Sequence, residues 1–267
     1  MKKYKLLVSD YDGTLASSDG IISSENLESI NAFIKRGGIF VVCSGRATDS
    51  IKPLLKRQGF KGMVASFNGA EFVDMDSGKT LYSNGIPYNV ASRFFEYTTK
   101  NKISAHFYGF GGFYYSFHNE YIDRYTHLTG VNGTLEENLV EKITKTKKST
   151  PKLLIFDDKE KLDLHYDKIK ELFPECDVFR STDNMIDLNL KGANKGGAIE
   201  SISSYFNLTS DDVLAVGDAG NDEPMLLKAG FPIAVDNAEQ RIKDLSKAVA
   251  PKNTENAIKY VIEKYCI

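Results

Sequence analysis

The architecture of this chain follows from Lys5-Leu6-Leu7-Val8-Ser9-Asp10-Tyr11-Asp12-Gly13-Thr14. A short apolar run with β-branched character stops at two carboxylates two residues apart, and a glycine turn follows at once. This is the pattern of a buried strand that ends in acids. In an open α/β sheet, ligands bind at the carboxyl ends of the strands. Two acids at such an edge repel each other unless positive charge sits between them. A second segment repeats the theme. The run Val213-Leu214-Ala215-Val216 ends in Gly217-Asp218-Ala219-Gly220-Asn221-Asp222. Acids from distant segments converging on one sheet edge point to a site for a hard divalent cation.

Outward from these segments, strand and helix signals alternate. Ser23-Ser24-Glu25-Asn26 reads as a helix start, and Gly37-Gly38 as its end. Ile39-Phe40-Val41-Val42-Cys43 is a continuous apolar run that breaks at Ser44-Gly45-Arg46. A helix is expected over 49–57, and a third strand over 63–67 ending at Asn68-Gly69. Strands separated by helices imply right-handed crossovers and a parallel sheet. The expected fold is α/β, a doubly wound parallel sheet. The rhythm breaks near Asn84. Residues 103–125 are rich in aromatics and glycine and read as hairpins of an antiparallel sheet. Lys142 to Lys148 reads as a solvated basic stretch. The βα rhythm is expected to resume at Met185-Ile186-Asp187-Leu188-Asn189. The expected division is a core of residues 1–83 and 185–267, interrupted by an α+β domain over 84–184.

Composition narrows the function. A chain of 267 residues with 42% hydrophobic and 26% charged residues is ordinary globular protein, not a disordered one. The formal net charge of -2 makes a broad nucleic-acid surface unlike this chain. Three widely spaced cysteines without a C-x-x-C read as free thiols of a reducing compartment, hence cytoplasmic. No window approaches the length of a membrane span, and no signal peptide is read. The expected state is a monomer or a weak homo-oligomer.

Several residues carry chemistry. Asp10 and Asp12 do not begin an EF-hand loop, because its glycine and glutamate positions hold Leu15 and Ile21. Ser44 with the Gly45 amide can hold a phosphoryl oxygen, or can be a plain turn residue. Cys43 lacks the arginine six positions on that a cysteine phosphatase needs, since that position is Asp49. It reads as a small buried apolar residue. Lys195, flanked by glycines at a helix start, adds charge to the positive end of the helix dipole. An anion bound there relieves that penalty, which hints at phosphate. Of the aromatics in the inserted stretch, Phe107, Tyr108, Phe110, Phe113, Tyr114 and Tyr115, about half are expected in the core of their sheet. The four histidines, His106, His118, His127 and His165, have no metal-ligand spacing.

Together, four segments resemble the motifs of the haloacid dehalogenase-like phosphatase superfamily. Asp10 to Thr14 matches D-x-D-G-T, Ser44 the second motif, Lys195 the third, and Asp218 with Asn221-Asp222 the fourth. The insert is similar to the C2 cap of the Cof-type subgroup of sugar-phosphate phosphatases, as are Ser44-Gly45-Arg46 and Asn68-Gly69-Ala70. Tyr11 departs from the usual aliphatic residue and is expected to project away from the carboxylates. The resemblance implies Asp10 as nucleophile and Asp12 as general acid and base. It implies Mg²⁺ on Asp10, the Asp12 carbonyl and Asp218, with Asp222 as a ligand or one step behind. It implies Ser44, Gly45, Arg46, Asn68, Lys195 and Asn221 as substrate-binding residues. The implied partner is a small phosphorylated metabolite. Two rivals remain open at this point: a phosphomutase or phosphotransferase of the same superfamily, and a phospho-accepting signalling protein.

Overall fold

In the computed structural model, which describes residues 4–109 and 111–266, the chain divides into two compact units. One holds the residues up to Tyr82 together with those from Asn194 onward, and the other holds Ser83–Ala193. No helix among the described residues is long and apolar enough to cross a membrane.

The first unit opens with β1 (Leu6–Ser9), α1 (Ser24–Lys35), β2 (Ile39–Cys43), α2 (Thr48–Arg57), β3 (Met63–Ser66), β4 (Glu71–Asp74) and β5 (Thr80–Ser83). The second unit contains α3 (Tyr88–Lys100), β6 (Ala105–Gly109), β7 (Gly112–Tyr115), α4 (Glu120–Thr129), β8 (Gly133–Leu135) and α5 (Leu139–Thr146). It continues through β9 (Leu153–Phe156), α6 (Lys159–Leu172), β10 (Cys176–Thr182) and β11 (Met185–Leu190). The chain then completes the first unit with α7 (Lys195–Tyr205), β12 (Val213–Gly217), α8 (Glu223–Lys228), β13 (Phe231–Val235), α9 (Gln240–Leu245), β14 (Ala248–Ala250) and α10 (Ala257–Tyr265).

The first unit is built on an eight-stranded sheet in the order β14-β13-β12-β1-β2-β3-β4-β5. Strands β14 to β3 run parallel, and β4 turns back antiparallel to β3. Every residue of β1 is buried, as is every residue of β12. A strand covered on both faces needs a continuous apolar run, which is what the sequence displays there. Ser9 lies opposite Val42 on one side and Val216 on the other. Asp10 therefore emerges at the carboxyl edge between the ends of β2 and β12. The chain proceeds from β1 toward β2 and β3 on one side, and from β12 toward β13 and β14 on the other. The edge between β1 and β12 is thus a topological switch point, where doubly wound sheets bind ligands.

The second unit is an α+β layer on a six-stranded sheet, β10-β11-β9-β6-β7-β8. Its own apolar core gathers Phe94, Phe95, Phe107, Leu153, Ile155, Phe173, Ile186 and Leu188. No residue of that cluster belongs to the core of the first unit, which includes Leu6, Val8, Phe33, Phe40, Val42, Leu214 and Val216.

The structure corrects the sequence reading in several places. Met185–Leu190 does not return to the parallel sheet. It pairs antiparallel with β9 and β10, so the insert runs to Ala193 instead of ending at 184. The reason lies in its period. Ile186 and Leu188 alternate with Asp187 and Asn189, the mark of a strand with two unlike faces, not of a parallel strand buried in apolar surroundings. The segment 103–125 is one hairpin, β6 and β7, followed by helix α4, whose N-cap Asn119 accepts from the Ile122 amide. Strand β8 then pairs parallel to β7, with α4 as the crossover. The basic stretch from Lys142 begins inside α5, where Leu139 and Ile143, one turn apart, are buried, and runs past its end at Thr146. Of the expected cap aromatics, Phe110 lies outside the described residues. Phe107, Tyr108 and Phe113 are buried.

Candidate active site

The residue that organises the site is Lys195. It is the first residue of α7, and the Asn194 side chain caps that helix by accepting from the Gly196 and Gly197 amides at 2.9 and 3.1 Å. The lysine does not reach solvent, being 1% exposed. Its Nζ donates to Asp10 Oδ1 at 2.5 Å and to Asp222 Oδ1 at 2.6 Å. A buried ammonium survives only if paired and hydrogen-bonded, and here two carboxylates do both. They push the Lys195 pKa up despite burial, so the group stays charged.

The remaining atoms of the cluster are held with equal economy. Asp222 Oδ2 accepts from the Asp218 and Ala219 amides at 2.9 and 3.1 Å. Both oxygens of Asp222 are therefore engaged. Asp218 Oδ1 accepts from the Thr14 hydroxyl at 2.6 Å. Gly13 has φ +80°, and a Cβ there would lie 2.5 Å from Asp218 Oδ2. Only glycine lets the loop after β1 pass this close to the second acidic loop. Asn237 Nδ2 donates to the Gly13 carbonyl at 2.8 Å, and Asn253 Nδ2 to the Ala16 carbonyl at 2.9 Å.

Asp10, Asp218 and Asp222 each offer a carboxylate oxygen within 4.8 Å of the others. Three carboxylates face one ammonium, so the fully ionised cluster carries two negative charges in excess. Burial, the largest cause, raises the Asp10 pKa to about 7, against the pull of Lys195. Burial likewise raises that of Asp218. An all-oxygen donor set short of positive charge fits a hard divalent cation. The cluster can hold a metal ion.

Asp12 stands at the rim, about half exposed, and accepts from Arg46 Nε at 2.8 Å and Nη2 at 2.7 Å. The Arg46 guanidinium lies 5.7 Å from the centroid of the Tyr11 ring. Tyr11 is fully buried and donates its hydroxyl to the Gly20 carbonyl at 2.6 Å. Its ring is a platform for the arginine that grips Asp12, a part the sequence did not announce. Ser44 is buried, and its Oγ accepts from the Arg46 amide at 3.2 Å. Cys43 is wholly buried and its thiol is pushed up to about 12, so it is no thiolate nucleophile. Asn68 sits against Gly45, where a Cβ would approach its Oδ1 to 3.0 Å. Asn221 is exposed on the turn after β12, and none of the site's hydrogen bonds among the described residues runs to it.

Sequence reasoning missed Thr14, Asn194 and Asn237 as parts of the site. Asn194 carried a legible signal, an Asn directly before a helix. Thr14 closes the D-x-D-G-T match, though its bond to Asp218 exists only across the fold, and Asn237 carried no signal.

The profile of the haloacid dehalogenase-like hydrolases matches residues 7–262, and the chain belongs to that family. It is similar to a putative phosphatase of Haemophilus influenzae, with 27% identity over 98% of each chain. It is 25% identical to a 5-amino-6-(5-phospho-D-ribitylamino)uracil phosphatase of Bacillus subtilis, over 97% of each. A crystal structure from Thermotoga maritima superposes with a TM-score of 0.88 at 28% identity, covering 99% of this chain and 98% of that one. Within the family the chain is a phosphatase of the Cof type.

Proposed function

We propose that this phosphatase hydrolyses small phosphate monoesters, sugar phosphates or similar metabolites, through a phosphorylated Asp10. The observation that carries the reading is the buried bridge of Lys195 between Asp10 and Asp222, beside Asp218. Asp10 attacks phosphorus and the bond to the ester oxygen breaks. Asp12, protonated, delivers its proton to that leaving oxygen. The Asp12 carboxylate then takes a proton from water, which attacks phosphorus and releases inorganic phosphate and the Asp10 carboxylate. Lys195, Ser44 and the Gly45 amide hold phosphoryl oxygens, and their positive ends offset the charge of the dianion. Arg46 orients Asp12.

Asp10, Asp218 and the Asp12 carbonyl would hold Mg²⁺, which supplies charge neutralisation at the phosphoryl group. Asp222, with both oxygens engaged, takes the part of holding Lys195 and the turn behind the cation. The unit Ser83–Ala193 is of the α+β kind expected of a C2-type cap. The Bacillus relative, named for a phosphorylated ribityl compound, supports a polyol phosphate as the substrate class. Buried thiols support a cytoplasmic setting.

The test is a panel of sugar phosphates, nucleotides, pyridoxal phosphate and p-nitrophenyl phosphate, assayed with Mg²⁺, with EDTA and with Ca²⁺. Turnover is expected with Mg²⁺, loss with EDTA, and inhibition by Ca²⁺, whose larger radius and higher coordination number misplace Asp10. Full activity in a metal-free preparation refutes the cation's part. Phosphate delivered to a sugar hydroxyl instead of water refutes hydrolysis.

A further inference from the structure

Between β3 and β4 the backbone does something costly. Phe67, Asn68 and Gly69 have φ of +50°, +58° and +96°, three left-handed residues in succession. A bulky residue such as phenylalanine is a genuine outlier there. Such strain persists only where the surroundings over-determine it, and it gathers at functional sites. A two-residue Asn-Gly turn between antiparallel neighbours accounts for left-handed Asn68 and Gly69, but not for a third such residue at Phe67.

The surroundings of this turn are the two elements that grip phosphate in the proposed reaction. On one side, the Phe67 amide donates to the Arg46 carbonyl and the Asn68 amide to the Ser44 carbonyl, each at 2.9 Å. These two bonds flank Gly45. On the other side, Gly69 lies flush against α7. A Cβ at Gly69 would come within 2.3 Å of Ala198 Cβ and 2.9 Å of Ala198 Cα. Ala198 is buried, one helical turn beyond Lys195. Below, the Thr48 hydroxyl meets that of Ser66 and donates to Glu71 at 2.6 Å, tying the root of the turn to the start of α2.

We propose that Phe67-Asn68-Gly69 is a spacer that sets how far the Ser44 loop stands from Lys195, with Gly69 and Ala198 as positioning residues of the reaction. The strain follows from this task. To reach the Ser44 and Arg46 carbonyls and still lie against Ala198, the chain must turn left-handed throughout. The residue facing the helix must also lack a side chain. The inference rests on the phosphatase reading above.

The test uses the full-length protein and p-nitrophenyl phosphate beside two sugar phosphates. In Gly69→Ala the new methyl pushes α7 away from the Ser44 loop. A displacement near 1 Å lowers rate by about 10²-fold. The loss is expected in kcat, by similar factors for every ester, with KM moving far less. Ala198→Val, which adds bulk from the helix side and leaves the backbone of Gly69 alone, is expected to show the same pattern. In the double variant Gly69→Ala/Ala198→Gly the 2.3 Å clash with the Ala198 methyl is removed, so α7 is pushed less, while the 2.9 Å approach to the helix backbone and the left-handed alanine remain. Its kcat is expected to recover toward wild type although its thermal stability stays low. A structural defect alone cannot separate the two in that direction. Wild-type kcat in folded Gly69→Ala or Ala198→Val overturns the spacer, as does a double variant that regains stability without regaining kcat. Should Gly69→Ala not fold, Ala198→Val alone decides by the same criterion. A wild-type protein inert toward all three esters refutes the phosphatase reading itself.

Discussion

His106 offers a quantitative test of the cap's interior. It lies on β6, fully buried, stacked on Phe113 at 4.7 Å with an interplanar angle of 12°. Phe156 at 4.6 Å and Tyr125 at 5.5 Å complete the enclosure. Neither ring nitrogen has a hydrogen-bond partner. Burial pushes its pKa from the ordinary 6.5 down to about 3. The folded imidazole is therefore neutral wherever the unfolded one takes up a proton. The unfolded state binds more protons between pH 6.5 and 3, so stability is intact above 6.5 and drains as pH falls through that window. At pH 5 the drain amounts to about 2 kcal/mol relative to pH 8. The perturbation is His106→Phe, which keeps a flat ring in the stack and removes the titration. At pH 8 it also removes two unsatisfied nitrogens, a gain of about 1–3 kcal/mol. The larger ring offsets part of that gain by crowding. The assay is urea unfolding followed by circular dichroism at pH 8 and pH 5. Wild type is expected to lose about 2 kcal/mol more than the variant between the two conditions. Equal losses in both proteins refute the reasoning.

Three further outcomes follow from the site. Asp10→Asn should reach the same fold, less stable for the loss of one of the two carboxylates on Lys195, and retain less than about a hundredth of wild-type turnover, since acid–base help alone is worth roughly 10²–10⁴-fold; higher residual activity removes Asp10 as nucleophile. Asp222→Asn replaces an acceptor of three N–H groups by a group with one acceptor oxygen, and should cost about 3–5 kcal/mol in chemical denaturation, as breaking a buried pair does. Wild-type stability there would mean that Lys195 does not need its second carboxylate. Arg46→Ala breaks an ion pair at the rim, so stability should change by less than about 1 kcal/mol, while kcat falls about 10–100-fold through the loss of a charged hydrogen-bonding partner of Asp12; normal turnover with a large stability loss would reverse the assignment.

The parallel half of the fold was legible because its strands are buried on both faces and leave continuous apolar runs that stop at chemistry-bearing residues. Leu6–Ser9, Ile39–Cys43 and Val213–Gly217 all read that way. Met185–Leu190 also follows a break and precedes a glycine-flanked helix, but its alternation of Ile186 and Leu188 with Asp187 and Asn189 belongs to the antiparallel sheet. Helix α5 hid because its two lysines match its two buried residues in number, and α4 because its tyrosines read as strand formers. Strands β4 and β5 are four residues each and too short to carry a period. Within the site, acids and a lysine at strand and helix ends announced themselves. Thr14 meets Asp218 across a separation of 204 residues, and Asn237 meets Gly13 across 224. No local pattern encodes such partners, since they are chosen by the closed sheet.

The two apolar clusters, one around Phe40 and Val216 and the other around Phe95 and Phe107, share no residue. A substitution in the inserted unit thus leaves the packing beneath Asp10 and Asp218 as it was. Over generations the two parts are free to change at different tempos. Gly13 against Asp218 and the Thr14 bond to Asp218 tie the site loops of the first unit to one another, while the insert has an apolar core of its own. Recombination that replaced residues 83–193 with a foreign segment would hand the new segment an intact set of aspartates and the lysine that binds them together.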